Sequence, residues 1–468
     1  MALDPATFET LIPSRFIAFT FPHPSQPDSL LRVAVLDAPI QPADSPRVAA
    51  MFVPEHRESD WIFSTESGHF QLLLGSSGIS RLILIGNRPI NGHCSPIIYH
   101  RAINHDSNGL ELSLKPLLLA LSPKSLFENG IPEIPILSYE DNVICCVVVE
   151  RCVGSFAGEM LVEDVEIESG SDVGECVKRE FRRRLRFKRM PNLVQTEIRL
   201  VPGAGTGSDR LGIGEVEFRP DIEVLVHPYL APMVASISLI SSCIEERNQN
   251  GFRPKALCLG VGGGALLAFL KTQLGFDVVG VEADAEVLRV ARQYFGLDDT
   301  ESIQLIVGDA TNVMEKIAYN ANGHNLGYLG VHEAENGSYL WDDKDLNNKF
   351  DIIMVDLDSS DANDGTISPP LEFVQKHALL AAKMLLCDFG ILAINVIAPS
   401  RSFYEKLINE FREVFHELYE IDVGNEENFV LVATKSPTIS CISDCENSFL
   451  NRLRLVTSGA YMDSIRKI

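Results

Sequence analysis

The stretch LCLGVGGGALLAFLKTQLGFDVVGVEAD, residues 257–284, reads as an apolar strand, a glycine turn, a helix and a second apolar strand closing on acids. Gly260-x-Gly262 lets the chain turn sharply out of the first strand and admits a ligand against the backbone, while the helix that follows offers free N–H groups. The pattern implies a nucleotide-like ligand. Alone it does not discriminate. Gly260-x-Gly262-x-x-Ala265 also satisfies the dinucleotide fingerprint, and Glu282 lies about twenty residues on, where a ribose-binding acid belongs.

Downstream of residue 216 apolar runs at 256–260, 278–282, 303–307, 350–356, 390–396, 417–421 and 429–433 alternate with helical segments. That alternation predicts an α/β fold with a parallel sheet covered on both faces. The polar, Asn- and Gly-rich segment 319–349 reads as an inserted surface loop. Two later signals narrow the ligand. IVGDA, residues 306–310, sets Asp309 at the end of the third strand, where a carboxylate accepts from an adenine amine. FDIIMVDLD, residues 350–358, closes the fourth strand on Asp356 and Asp358, acids of the right sign to face a sulfonium and an incoming amine.

Together these describe a class I, Rossmann-like S-adenosylmethionine site better than a nicotinamide site. The candidate cofactor residues are Gly260, Gly262, Gly264, Glu282, Ala283, Asp309, Ala310 and Asp356; Asp356, Asp358 and Tyr229 of HPYLAP, a lid candidate, are the candidates for orienting the acceptor. Each residue also has an ordinary reading: glycines as tight packing, Glu282 as a strand-end acid, Asp309 and Asp356 as helix caps. Their order and spacing favour the site.

Composition restricts the partners. With 468 residues the chain has room for two or three domains, and 40 Lys and Arg against 64 Asp and Glu give a net charge of −24. Such a surface repels nucleic acid and draws in a basic protein or an amine. The opening MALDPATFETLIPS carries Asp4 and Glu9 and no basic, apolar leader, so a cytoplasmic protein is expected. The uncharged run 224–244 contains His227, Pro228, Pro232 and several serines, and predicts a capped, buried or lid-forming helix rather than a membrane span. The ten cysteines lack paired metal-ligand spacing and read as reduced thiols, with no metal site.

Residues 1–200 read as a smaller, strand-rich domain without a catalytic cluster; the glycine-rich stretch 201–215 reads as a linker, and 216–468 as the cofactor-binding domain. KREFRRRLRFKR, residues 178–189, holds eight basic residues, but Phe181, Leu185 and Phe187 fall at mostly even spacing, so a charged strand face is expected rather than a nucleic-acid patch.

The motifs LCLGVGGGAL, VEADAEVLRVARQYFGL, GDA, FDIIMVDLDSSD, SPPLEFV and YMDSIRKI, with FVPEHRESDWIFSTESG and FRRRLRFKRMPNLVQTE earlier in the chain, resemble the eukaryotic elongation factor 1A lysine and N-terminal methyltransferase family. The likeness covers roughly 400 residues: that family's middle region and its C-terminal, spermidine-synthase-like methyltransferase domain. The family's N-terminal lysine methyltransferase domain has no counterpart in these 468 residues. The resemblance implies S-adenosylmethionine as cofactor and the α-amine of elongation factor 1A as acceptor. An α-amine, with a reference pKa of about 7.7–8.0, is partly free base near neutral pH and needs no strong general base. Two other readings stand beside it. DLDSSDA partly matches the acidic turn of polyamine aminopropyltransferases, and a non-catalytic scaffold would keep the same fold.

Overall fold

The computed structural model describes residues 5–26, 28–39, 46–76, 78–88, 98–101, 108–128, 130–139, 141–169, 178–203, 212–213, 217–298, 301–321, 349–358, 368–398, 400–424, 428–438, 447–457 and 459–468. Residues 204–211 and 214–215 of the glycine-rich stretch, 322–348 of the insertion, 359–361 of the acidic turn, and Cys441 and Cys445 lie outside the described residues.

Up to residue 221 the chain lays down β1 (Phe16–Pro22), β2 (Leu30–Asp37), β3 (Val48–Phe52), β4 (Arg81–Asn87), β5 (Ile98–His100), β6 (Ile136–Leu137), β7 (Val143–Gly154), β8 (Gly158–Ser169), β9 (Lys178–Phe187), β10 (Val194–Pro202) and β11 (Phe218–Asp221). They form two sheets. The first, in the order β1-β2-β4-β3-β6, packs Phe63, Phe70 and Leu73 on one face and Leu114 and Leu118 of the helix Asn108–Ala120 on the other. The second is antiparallel, in the order β11-β10-β9-β8-β7-β5. The glycine-rich stretch therefore joins two neighbouring strands, β10 and β11, of one sheet.

The basic run is a strand whose arginines are matched by acids on its neighbours. Arg183 forks onto Asp164 at 2.7 and 2.9 Å, Arg182 and Arg184 each reach Glu197 at 2.7 Å, and buried Arg186 meets Glu163 at 2.9 Å and Asp60 at 3.1 Å. Cross-strand pairing of opposite charges stabilises the sheet and neutralises the run.

The third sheet takes β12 (Lys255–Leu259), β13 (Asp277–Glu282), β14 (Ile303–Val307), β15 (Phe350–Val355), β16 (Leu386–Ile397), β17 (Glu417–Asp422), β18 (Asn428–Thr434) and β19 (Arg466–Lys467) in the order β14-β13-β12-β15-β16-β18-β17-β19. Strands β12 to β16 pair in parallel, and β18, β17 and β19 add antiparallel. Ala256 to Leu259 are fully buried, the continuous apolar run of a strand covered on both faces. One face packs against Met233, Phe269 and Leu453, the other against Met314, Leu379 and Phe411, so the sheet lies between two helical layers. This is the α/β Rossmann-like architecture expected. The order reverses between β12 and β15, and ligands of open α/β sheets bind beyond the strand ends at such a switch point.

The uncharged run 224–244 breaks into Leu230–Ala235, Ser236–Ile240 and the start of Ser241–Gln249, buried against the third sheet. No described helix is long and apolar enough to cross a membrane.

Candidate active site

A cleft of about 870 Å³ opens at the carboxyl ends of β12, β13, β14 and β15. Of the sequence-predicted residues, Gly260, Gly262, Glu282, Ala283, Asp309, Ala310, Asp356, Asp358 and Tyr229 all line it. Gly264 does not. It caps the helix Ala265–Leu274 with φ +80°, and an added Cβ would lie 2.9 Å from Leu297.

The glycine turn is built for close approach. Gly260 has φ +87°, and a Cβ there would stand 2.1 Å from the Asp356 carbonyl oxygen; at Gly262, φ +53°, it would stand 2.7 Å from Thr196 Oγ1. Only glycine fits both the conformation and the space. The turn's N–H groups are held in place: Glu282 Oε2 accepts from Val261 and Gly262 at 3.2 Å each, and Thr196 Oγ1 accepts from Gly263 at 2.7 Å. Burial raises the pKa of Glu282 above the usual carboxylate value, against the backbone N–H groups that pull it down. Asp309 is exposed and caps the helix Ala310–Ala321, accepting from Asn312 N at 2.8 Å, so its helix-cap reading holds while it also lines the cleft.

At the end of β15, Asp356 Oδ2 accepts from Tyr229 Oη at 2.9 Å and Oδ1 from Asn395 Nδ2 at 3.3 Å. Burial pushes the Asp356 pKa up to about 6, opposed by those two hydrogen bonds and supported by the neighbouring Asp358 charge. Burial beside Asp356 also raises the Tyr229 phenol well above its usual value, so it remains a donor. Asn395 Oδ1 is buried and finds no partner among the described residues. A neutral, half-buried His227, pushed down to about 4 by loss of solvent around its ring, stands with that ring 5.1 Å from that of Tyr229. Asp358 takes Gln195 Nε2 at 3.1 Å and Arg189 Nη2 at 3.5 Å.

Sequence reasoning missed the contribution of the second sheet. Phe156, Arg189, Gln195 and Thr196 form a wall of the cleft, and Asp284, the cap of the helix Ala285–Tyr294, accepts from Phe156 N at 2.7 Å and Ala157 N at 2.9 Å at the β7–β8 turn. Asn395 was also missed. Its signal was a single amide inside the apolar run ILAINVIA.

The residues fit the adenosyl cofactor that the sequence implies: a cradle that any Cβ would fill, a half-buried acid beside it, and an acidic wall continuing to an amide oxygen without a partner among the described residues. Among the described residues no group of three or more His, Cys, Asp or Glu side chains is placed to hold a metal.

No family model matches the chain. It is 26% identical over 414 residues to the eEF1A lysine and N-terminal methyltransferase of Xenopus laevis, covering 85% of this chain and 52% of that protein. The Homo sapiens protein of that name is 25% identical over 427 residues, covering 86% and 53%, and the Drosophila melanogaster homolog 23% identical over 414 residues, covering 87% and 52%. Among solved structures, human Methyltransferase-like protein 13 in complex with SAH is 21% identical, with TM-score 0.39 over 50% of this chain and 93% of that one. A probable spermidine synthase from Corynebacterium glutamicum is 14% identical, with TM-score 0.38 over 66% and 94%. The chain spans about half the length of the curated relatives it matches, and over some 85% of its own residues it is similar in sequence to the eEF1A lysine and N-terminal methyltransferases.

Proposed function

We propose that this chain is an S-adenosylmethionine-dependent protein methyltransferase whose acceptor is an α-amine, that of translation elongation factor 1A. The observation that carries the reading is the juxtaposition at the switch point. The glycine cradle abuts Asp356, whose carboxylate is held by Tyr229 and Asn395 on the side facing the cleft. In this reading Gly260, Gly262, Glu282, Ala283, Asp309 and Ala310 hold the cofactor, which supplies an electrophilic methyl group. Asp356 accepts an N–H of the attacking amine, and Asn395 Oδ1, without a partner among the described residues, accepts another. Two acceptors aim the lone pair, and alignment of this kind supplies much of a transfer rate. Tyr229 orients the carboxylate and closes the cleft wall. The amine arrives partly as free base, transfer of the methyl leaves the sulfur neutral and the nitrogen as an ammonium, and the ionised Asp356 carboxylate stands beside that positive charge, which sheds its extra proton to water after leaving the cleft. Residues 216–468 hold the methyltransferase unit in this proposal, their first strand β11 completing the second sheet, with 1–200 as a preceding unit and the protein cytoplasmic. The acidic balance of the chain suits a basic protein substrate and not nucleic acid.

Mass spectrometry of the elongation factor N-terminus in cells with and without this protein tests the reading. The methylated N-terminus should disappear with the protein; an unchanged modification pattern contradicts it.

A further inference from the structure

The β9–β10 turn carries a cation into the acceptor end of the cleft. Arg189 leans its guanidinium over the Phe187 ring, 4.9 Å from the centroid, and points Nη2 at Asp358 Oδ1 at 3.5 Å. Its Nε is buried and has no hydrogen-bond partner among the described residues. Gln195, six residues on, donates to the other oxygen of Asp358 at 3.1 Å. The two acids that close β15 therefore differ in kind. Among the described residues Asp356 is hydrogen-bonded only by neutral groups, Tyr229 and Asn395, whereas Asp358 is engaged by a cation and an amide. In the proposed function an incoming amine is drawn to Asp356, and next to it stands a donor that lacks an acceptor among the described residues.

The geometry points to Arg189 as an acceptor-binding residue that selects amines followed closely by a peptide carbonyl, through donation from its guanidinium to that carbonyl oxygen. The inference rests on the methyl-transfer reading and deepens it. Asp356 and Asp358 are two residues apart, so their Cα atoms lie within about 7 Å, a span that an α-amine and the first two carbonyls of an extended peptide cover. A lysine ε-amine comes on an apolar stem with no acceptor atom near it and leaves the buried N–H unsatisfied. A diamine brings a second ammonium toward a fixed guanidinium and meets like charge. The strand-rich part of the chain thereby gains a role, since Arg189 and Gln195 both belong to the second sheet and its turn.

The test uses the full chain, wild type and as Arg189→Gln and Arg189→Lys, with a lysine-free peptide bearing a free α-amine and with putrescine as acceptors. Calorimetry on the S-adenosylhomocysteine-loaded protein measures binding of both in parallel. Arg189→Gln should raise the peptide KM and Kd by about tenfold or more, the effect of one lost charge-assisted hydrogen bond, with kcat and cofactor affinity within about twofold. Its putrescine affinity should stay level or improve. Arg189→Lys keeps the charge but not the Nε donor or the planar fork, so it should continue to exclude putrescine while losing peptide affinity. Unchanged peptide KM and Kd in Arg189→Gln overturn the inference, as does an equal loss for peptide and putrescine. A wild type that methylates no α-amine contradicts the methyl-transfer reading instead, and the calorimetric comparison of peptide binding then decides the role of Arg189 by itself.

Discussion

In the proposed function the chemistry turns on Asp356, a carboxyl group that burial has raised to a pKa of about 6 where the proposal holds the amine. Asp356→Asn keeps the size and one hydrogen-bond acceptor but removes the charge. Transfer should fall about a hundredfold, the loss expected for a transition-state contact of on the order of 3 kcal/mol, while cofactor affinity measured by calorimetry stays close to wild type. The pH dependence adds a second readout. For the free-base amine, log kcat/KM rises with unit slope up to about pH 8, and the need for ionised Asp356 steepens it below about 6. Asp356→Asn should keep the first slope and lose the steepening; a variant with the wild-type profile removes Asp356 from the mechanism. The glycines and strand-end acids were legible in the sequence because cofactor approach and strand ends impose local, ordered signals. Arg189 and Thr196 were not, since their place on the cleft wall follows from docking of a sheet far away in sequence.

At the scale of elements, the second sheet and the cofactor-binding sheet are tied at three corners of the cleft: Thr196 to the glycine turn, Asp284 to the β7–β8 turn, and Gln195 and Arg189 to Asp358. Gly154 carries the same message, because a Cβ there would stand 2.2 Å from Asp284 Oδ2. Thr196→Val is nearly isosteric and removes only the acceptor of the Gly263 N–H. A buried donor left unpaired costs about 1–3 kcal/mol, so the denaturation midpoint should fall and cofactor binding weaken as the turn loosens, with Thr196→Ser restoring both. If Thr196→Val alters neither, the tie does not hold the turn. The strands from β12 to β18 were each readable as apolar runs bounded by turn residues. The helix Glu66–Gly75 was not: in ESGHFQLLLG buried residues are spread around the helix, His69 among them, so it presents no clean 3.6-residue stripe, and Asn108–Ala120 turns Leu114 and Leu118 to the first sheet but carries Pro116, a helix-breaking signal, inside it.

Across the whole molecule, burial sets the response to acid. His69 and His227 are both pushed down to about 4, so between pH 6.5 and about 4 the folded chain binds fewer protons at these sites than the unfolded chain, and stability falls as pH drops through that window. Asp356, raised from 3.8 to about 6, acts in the opposite direction over much of the same range, since it favours the folded state as pH falls. Glu282 and Asp351, also raised by burial, act with Asp356, so the histidine contribution is read by difference: His69→Gln should show a smaller fall, or a larger rise, of the urea midpoint between pH 6.5 and 4 than the wild type, and an unchanged pH dependence contradicts the buried, neutral state of His69. The number of sheets and the partition of strands between them lay beyond sequence reading, because pairing between segments far apart leaves no local pattern. The central claim, transfer of a methyl group to an α-amine, is tested most directly with a synthetic peptide copying the N-terminus of elongation factor 1A and its α-acetylated twin, every lysine left free in both. Incubated with the full chain and S-adenosylmethionine and read by mass spectrometry, the free peptide should gain methyl groups at its first residue and the acetylated peptide none; equal methylation of the two, or methylation confined to lysine, contradicts the account.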